Sequence, residues 1–209
     1  MPSLKTLVAV PYHEDRLTAA GAMANEETMT QGARNLEIKV GCGEDGMADI
    51  RQRLLHAGVE VSQQLRQVDT YFRIPTGRLK LREIEDLNDS APARAELIAY
   101  VRPDQATSRW SSYFVTRILP AEVGSLVSSL DATVGTLVRV AKRRDIAIWD
   151  ATRIHLDTVD QLGVFIELET VIGEQSDDNA TAEHERIVAA VGLDRWPPIS
   201  TSYSDLLLA

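Results

Sequence analysis

Short segments in which apolar and charged residues alternate follow one another from residue 35 to residue 172. A period of two places successive side chains on opposite faces of the backbone, which is the signature of a β-strand. Eight segments have this pattern, and they predict strands at residues 36–40, 68–74, 77–83, 97–102, 113–118, 137–149, 153–159 and 164–172. We therefore expect a sheet of seven or eight antiparallel strands.

Three other stretches have the helical period, in which apolar residues recur three and four positions apart. They predict helices at residues 46–57, at residues 179–191, and between Pro120 and Gly135. Proline is well tolerated at the first position of a helix, and glycine commonly follows the last, as Gly135 and Gly192 do here. Strands and helices together predict an α+β fold.

The remaining segments define the limits of the domain. Residues 1–34 have no sustained period and are interpreted as an N-terminal extension, so that residues 35–209 form a single domain. Turn-forming residues predict hairpin loops at 85–94 and 103–111.

Composition excludes several classes of protein. The chain has 209 residues, 22 lysines and arginines against 31 aspartates and glutamates, and a single cysteine, Cys42. One cysteine cannot form an internal disulfide, which favours a reducing compartment. An acidic chain without a basic tail is unsuited to duplex nucleic acid, which requires a surface of cations. No apolar run approaches the roughly 18 residues of a membrane span. We expect a cytoplasmic protein with no nucleic-acid or membrane partner.

Side chains two apart on a strand share a face, and in six of the predicted strands one face is mostly charged. The simplest interpretation is a solvated face, since charged side chains are mostly exposed. A solvated face would normally mix uncharged polar residues with its charges. A long sheet also tends to curl, and closing it places one face inside a barrel. The alternative prediction is a closed eight-stranded antiparallel β-barrel with a charged lumen and helices packed outside.

In that barrel, cations would outnumber anions. The cations are Lys39, Lys80, Arg82, Arg102, Lys142, Arg144 and Arg153, and the anions are Glu37, Asp157, Glu167 and Glu169. Like charges ~4 Å apart repel by roughly 4 kcal/mol at an effective dielectric constant near 20, so we expect a polyanion to bind there. Lysine and arginine suit phosphate oxygens, and carboxylates suit Mg²⁺ or Mn²⁺, which prefer oxygen ligands. The pattern therefore predicts a metal-dependent site for a triphosphate.

The motifs that carry these charges resemble those of a known family. Leu36-Glu37-Ile38-Lys39 is similar to the second half of the Glu-x-Glu-x-Lys signature of the CYTH superfamily. These triphosphate tunnel proteins include class IV adenylyl cyclases and thiamine triphosphatases. Residues 142–144, 153–157 and 162–169 are similar in order and spacing to the C-terminal half of the family, and residues 202–207 resemble the tail of the cyclase-like branch. The resemblance covers residues 35–209.

The resemblance implies roles for individual residues. Glu37, Glu167 and Glu169 would hold the metal ions, with Asp157 assisting, and Lys39, Lys80, Arg82, Arg102, Lys142 and Arg144 would cradle the triphosphate. Catalysis would depend on Lys39, Lys142, Arg144 and Asp157. Arg153 either joins the triphosphate site or, with His155, pairs with Asp157. The first Glu of the signature is Asn35 here, whose amide oxygen can ligate Mg²⁺ but brings no charge. The resemblance also implies a homodimer.

Three functions remain open at this point. The first is a class IV adenylyl cyclase-like enzyme that converts ATP, the expected nucleoside triphosphate, into cyclic AMP and pyrophosphate. The second is a triphosphatase that hydrolyses an organic or inorganic triphosphate. The third is a protein that binds a nucleotide or polyphosphate with little or no turnover, and Asn35 is the feature that favours it.

Overall fold

The computed structural model describes residues 35–101, 112–173 and 175–209. Eight strands form one antiparallel sheet: β1 (Asn35–Gly41), β2 (Val61–Phe72), β3 (Arg78–Asp86), β4 (Arg94–Val101), β5 (Ser112–Ile118), β6 (Thr136–Trp149), β7 (Thr152–Val159) and β8 (Gly163–Val171). The helices are α1 (Gly43–His56), α2 (Val123–Val134), α3 (Asp177–Val191) and α4 (Tyr203–Leu208). Short 3₁₀ turns at Pro120–Glu122 and Leu193–Arg195 precede α2 and follow α3.

The strands lie in the order β1-β8-β7-β6-β2-β3-β4-β5, and all neighbours are antiparallel. The predictions of an α+β fold and of an eight-stranded antiparallel sheet with helices are confirmed. Strands β1 and β5 are the two ends of this order, and no pairing joins them within the ranges described. Closure of the sheet into a barrel therefore stays a prediction.

Two elements differ from what periodicity predicted. Strand β2 begins at Val61, whereas the predicted strand began at residue 68, because Gln63, Gln64 and Gln67 obscure the apolar alternation. Helix α4 was not predicted. It begins after Ser202, which forms a capping box with Asp205, and a capping box satisfies two otherwise unbonded backbone N–H groups.

The apolar face of the sheet is covered by α1 and α3. Ile50 and Leu54 of α1 and Ile187 of α3 are fully or almost fully buried against Ile166 and Leu168 of β8. Burial of apolar side chains on this face is the main stabilising contribution, at about 25 cal/mol per Å² removed from water. The opposite face of β1, β8, β7, β6, β2 and β3 carries the predicted charged residues, and we call it the charged face.

The charged face has apolar side chains at both ends. At one end Tyr71, Val140, Val159 and Phe165 are buried against residues of α4 and the segment before it. At the other end Leu65, Ile84 and Ile146 form a smaller buried cluster. The charged residues thus lie between two apolar layers, and α4 packs against their side of the sheet. No described helix has the length and apolar character needed to cross a bilayer. The extension at residues 1–34 and the loop at 103–111 lie outside the described residues.

Candidate functional site

The first ionic cluster of the charged face is centred on Asp69 of β2. Lys80 of β3 donates to its Oδ2 at 2.8 Å, and Arg82 donates to Oδ1 at 2.7 Å and to Oδ2 at 2.8 Å. This contact follows from the register, which places Asp69 directly opposite Arg82 on the neighbouring strand. Asp69 and Lys80 are both buried, so one carboxylate compensates two cations in a water-poor environment.

The second cluster is centred on Asp157 of β7, which is fully buried. Its carboxylate accepts hydrogen bonds from Lys142 at 3.1 Å and from Arg144 at 2.7 and 2.6 Å. Tyr203 of α4 adds a fourth donor, a hydroxyl at 2.9 Å from Oδ2. Both cations come from β6, where their spacing of two places them on one face, and Arg144 lies directly opposite Asp157.

Burial and charge act in opposite directions on these groups. Burial alone would raise the pKa of Asp69, but Arg82 and Lys80 lower it well below its usual range. The pKa of Asp157 is likewise lowered, against the effect of burial, by Arg144 and Lys142. Burial, followed by repulsion from Arg144, lowers the pKa of Lys142 to about 7. Both carboxylates are therefore ionised at neutral pH, while Lys142 is only partly protonated.

The two clusters lie close enough to act on each other. The positive charge of Arg144 repels that of Arg82. The positive charge of Lys142 on β6 stabilises the ionised form of Asp69 on β2. Four cations, two from β3 and two from β6, thus share two central carboxylates. Such a group offers several positive charges to an anion that can replace a carboxylate as their partner.

A third group of charges lies on β1, β7 and β8. Arg144 also reaches Glu167 of β8 at 2.9 Å, and Arg153 of β7 donates to Oε2 of Glu169 at 3.0 Å. The amide Nδ2 of Asn35 donates to the other oxygen of Glu169. His155 lies 3.7 Å from Glu167, which is too long for a hydrogen bond. Arg153 and His155 lie directly opposite Glu169 and Glu167 on β8, and the alternatives for Arg153 stay predictions.

Two further residues of β1 lie beside this third group of charges. Glu37 lies directly opposite Glu169, and Lys39 lies opposite Glu167. The ammonium group of Lys39 donates to the carbonyl oxygen of Thr201 and lies 4.7 Å from the centre of the Tyr203 ring. Lys142 lies 5.2 Å from the same ring, so one aromatic side chain contacts two cations.

The structure therefore brings together most of the residues that the sequence pointed to. The charged face holds Lys39, Lys80, Arg82, Lys142, Arg144, Arg153, Glu37, Asp157, Glu167 and Glu169. Arg102 lies outside the described residues. Whether these residues bind a triphosphate, bind a metal ion or act in catalysis stays a prediction.

Sequence reasoning missed several members of the site. Asp69 is a buried anion on the charged face, and Glu96 of the neighbouring strand β4 is buried directly opposite Arg82, so the charges are closer to electrical balance than expected. Asp69 falls within the strand predicted at residues 68–74, but it was not assigned to the charged face. The capping box at Ser202 was the local signal for α4, which carries Tyr203. No local pattern indicates that Tyr203 reaches Asp157, because the two residues are far apart in the sequence.

Four buried side-chain atoms have no hydrogen-bond partner within the described structure. They are Oδ1 of Asn35, Oε1 of Gln63, Oε1 of Gln67 and Nδ1 of His155. All four residues are on the charged face by their strand register. Buried polar groups are normally hydrogen-bonded, so these four atoms are positions where water or a bound molecule would supply a partner.

Carboxylates are the first groups to consider as metal ligands. Across the three described segments, no three His, Cys, Asp or Glu side chains lie close enough together to form a metal-binding group. Asp157 already accepts four hydrogen bonds, which leaves it poorly suited to a metal ion. Glu37, Glu167, Glu169 and the amide oxygen of Asn35 supply only oxygen donors at one edge of the charged face, which is the donor set that Mg²⁺ and Mn²⁺ prefer.

Comparison with known proteins places this site in a family. Residues 33–193 match the CYTH domain. The chain belongs to the CYTH domain family. No curated protein matches it. The CYTH match includes the charged residues of both ionic clusters and all of the predicted residues of the charged face, whereas α4 and Tyr203 lie beyond its C-terminal limit.

Solved structures share the CYTH fold with this chain. A protein from Pyrococcus horikoshii OT3 is 17% identical, with a TM-score of 0.65 over 82% of this chain and 98% of its own. A proposed adenylate cyclase of Vibrio parahaemolyticus is 22% identical, with a TM-score of 0.58 over 86% of this chain and 100% of its own. A proposed adenylate cyclase of Bacillus halodurans is 13% identical, with a TM-score of 0.51 over 81% of this chain and 94% of its own. At these identities the likeness is one of fold.

Proposed function

We propose that this CYTH protein is a divalent-metal-dependent enzyme that converts ATP into cyclic AMP and pyrophosphate on its charged face. The observation that carries the proposal is the group of four cations, Lys80, Arg82, Lys142 and Arg144, which lie on one face and share two central carboxylates. Proteins bind phosphate oxygens with the planar guanidinium group of arginine, which can donate two parallel hydrogen bonds, and with the ammonium group of lysine.

The buried cations favour a polyanionic substrate on energetic grounds. Removing a charged group from water costs several kcal/mol even after the protein relaxes, so roughly that cost recurs for each of these cations. Asp69 and Asp157 compensate part of it. A triphosphate can compensate the rest, with its oxygens contacting Arg82 and Arg144 beside Asp69 and Asp157.

Closure of the sheet belongs to the same proposal. In a closed barrel the charged face becomes the lining of a tunnel, which would keep water away from the bound phosphates and strengthen each charge interaction. Support comes from the low exposure of Lys80, Lys142 and Arg144, each 8% or less, since open faces seldom bury cations to this extent. We also infer a homodimer, as the resemblance to the cyclase-like branch implies.

The oxygen donors on β1 and β8 have the chemistry that suits a divalent metal ion. Glu37, Glu167 and Glu169 would hold it, with the unpartnered amide oxygen of Asn35 as a neutral donor. When bound, such an ion neutralises phosphate charge and favours ionisation of an attacking hydroxyl. Glu167 and Glu169 are engaged by Arg144 and Arg153 here, so binding of phosphate to those arginines would release carboxylates for the metal.

The proposed reaction forms one phosphorus–oxygen bond and breaks another. The 3′-hydroxyl oxygen attacks the α-phosphorus, and the bridging oxygen to the β-phosphorus leaves with the bonding electron pair as part of pyrophosphate. The hydroxyl proton passes to solvent water in the same step. Lys80, Arg82, Lys142 and Arg144 would hold the β- and γ-phosphates and stabilise the negative charge that grows on the leaving group.

A second candidate is capture of a nucleotide or polyphosphate without turnover. Asn35 favours it, because this residue contributes no charge and its amide group holds one oxygen of Glu169 while Arg153 holds the other. A carboxylate restrained on both oxygens is a weaker metal ligand than a free one. Hydrolysis of the terminal phosphate would use the same cations and differs only in which phosphorus faces the nucleophile.

Phosphorus NMR of the protein incubated with ATP and Mg²⁺ distinguishes these functions. Cyclic AMP with pyrophosphate supports the proposal, ADP with orthophosphate indicates a triphosphatase, and an unchanged spectrum despite binding indicates capture alone. Lys142→Ala should lose turnover while remaining folded. Arg143→Ala is the matched control, because Arg143 is the next residue on β6, is exposed and faces the other side of the sheet.

A further inference from the structure

Gln67 is a polar residue at the centre of the charged face that the proposed reaction does not use. It lies on β2 directly opposite Lys142 of β6, two residues before Asp69 and therefore on the same face. Its exposed fraction is 3%. On its other side lies Ile84 of β3, part of the apolar layer at one end of the face. Gln67 thus lies where the ionic clusters meet this apolar layer.

The oxygen end of the Gln67 carboxamide contributes nothing to holding the fold together. Its Oε1 is buried and has no hydrogen-bond partner among the described residues. Leu65 occupies the preceding position on the same face and is buried without this penalty. An unpartnered amide oxygen in a buried position destabilises the protein. A bound molecule that donates a hydrogen bond to this oxygen would remove that cost.

The unpartnered atom is an acceptor, and this restricts the molecule that can satisfy it. An inorganic polyphosphate at neutral pH presents oxygen acceptors almost exclusively, so it cannot donate to Oε1 of Gln67. The organic part of a nucleotide carries donors, namely the ribose hydroxyls and the amino group of adenine. Because Lys142 lies directly opposite Gln67, a donor attached close to the triphosphate can reach Oε1 while the phosphates contact the cations.

We propose that Gln67 accepts a hydrogen bond from the nucleoside part of the substrate and so makes the site prefer a nucleotide to a bare polyphosphate. This inference rests on the proposed function and adds a specificity-determining residue to it. Gln67 contacts the substrate through one acceptor atom, while Lys80, Arg82, Lys142 and Arg144 contact its phosphates.

Calorimetric titration with ATP and with inorganic tripolyphosphate, with and without Mg²⁺, tests this assignment. In Gln67→Met, which keeps the length of the side chain and removes its amide, ATP should bind about tenfold more weakly, and tripolyphosphate should change by less than about twofold. The melting temperature of the unliganded variant should stay the same or rise, because an unpartnered polar group has been removed. Gln67→Leu gives a second apolar variant, should the Met variant fold poorly.

Gln64→Met is the matched control, since Gln64 is on the same strand but faces the other side, where it donates to Asp145. It should leave both affinities unchanged. Two analogues identify the donor: 2′,3′-dideoxy-ATP lacks the ribose hydroxyls, and purine riboside triphosphate lacks the amino group. The analogue without the donor should bind the wild-type protein about as weakly as ATP binds Gln67→Met.

Several outcomes would overturn the assignment. Equal weakening of ATP and tripolyphosphate would make Gln67 a phosphate contact or a purely structural residue, and unchanged ATP binding would mean that water satisfies Oε1. If the wild-type protein binds tripolyphosphate but not ATP, the site does not recognise a nucleoside and the assignment of Gln67 fails. The proposed triphosphate site would then still stand. If neither ligand binds, the proposed function fails as well, and the inference fails with it.

Discussion

The hydroxyl of Tyr203 donates a 2.9 Å hydrogen bond to Oδ2 of Asp157, the fully buried carboxylate that also holds Lys142 and Arg144. Burial raises the pKa of Tyr203, and the charge of Asp157 raises it further, so this hydroxyl stays a donor at any physiological pH. The contact joins the last helix of the chain to the central ionic cluster. If α4 unfolds, the carboxylate of Asp157 therefore loses one of its four hydrogen bonds.

Tyr203→Phe should lower the free energy of unfolding by about 1.5–3 kcal/mol, the usual contribution of a hydrogen bond to a charged group. The ring keeps its edge contact with Phe165, with centroids 5.0 Å apart, so the loss reports the hydroxyl alone. Urea unfolding measures it. Leu208→Ala is the control on the same helix and should have an effect below about 0.5 kcal/mol, since Leu208 is exposed. Equal stability of Tyr203→Phe and wild type would show that the hydroxyl bond does not form.

Triphosphate binding should take up protons near neutral pH because of Lys142. Its folded pKa, lowered to about 7 by burial and by Arg144, lies below the value of about 10.4 for an unfolded lysine. The unfolded chain therefore binds more protons between pH 7 and roughly 10.4, so the contribution of this group to stability rises with pH across that window. A bound polyanion favours the charged amine and reverses the shift.

Calorimetry with tripolyphosphate in two buffers of different ionisation enthalpy measures that uptake. At pH 8 the wild-type protein should take up a fraction of a proton, and its affinity should fall as the pH rises from 6.5 to 8.5. Lys142→Arg stays charged at every pH used, so its uptake should be close to zero. An equal uptake in both proteins would assign the proton to another group.

Asn35→Glu should make stability depend on divalent metal. The new carboxylate replaces the amide that donates to Glu169, so two like charges meet at this edge and the free energy of unfolding in EDTA should fall by about 1 kcal/mol. With Mg²⁺ or Mn²⁺ the melting temperature should rise more than in the wild type. Asn35→Glu combined with Glu37→Gln should lose that extra rise. A metal response no larger than that of the wild type would argue against a metal at these residues.

Thr170→Val tests the hydrogen bonds that hold α3 against the face of the sheet opposite the charged face. Thr170 and Thr152 are fully buried and bonded to each other at 2.8 Å. On α3, Glu183 accepts a hydrogen bond from Thr152 at 2.7 Å, and His184 is bonded to Thr170 at 2.8 Å. The substitution should lower the free energy of unfolding by about 1–3 kcal/mol. Affinity for tripolyphosphate should not change, because this network faces away from the charged face. A large loss of affinity would mean that the two faces are coupled.

Much of the fold could be predicted from local patterns. Each of the eight strands and three of the helices followed from periodicity, and Gly192 has the left-handed backbone, with φ of 71°, that its position after α3 requires. Alternation along β6 was enough to put Lys142 and Arg144 on one face, since the period of a strand depends on the backbone alone. Where polar residues such as Gln63 and Gln67 broke the pattern, β2 was recognised only in part.

What the sequence determined by itself was the identity and the face of most site residues, because strand periodicity and charge are local properties. The tertiary structure decided which charges are partners: the register of β2 against β3 gives Asp69 to Arg82, and that of β6 against β7 gives Asp157 to Arg144. It also brought Tyr203 to Asp157 and left Oε1 of Gln67 without a hydrogen-bond partner among the described residues. These contacts join residues distant in the chain, and their energies depend on burial, which only the packed sheet creates.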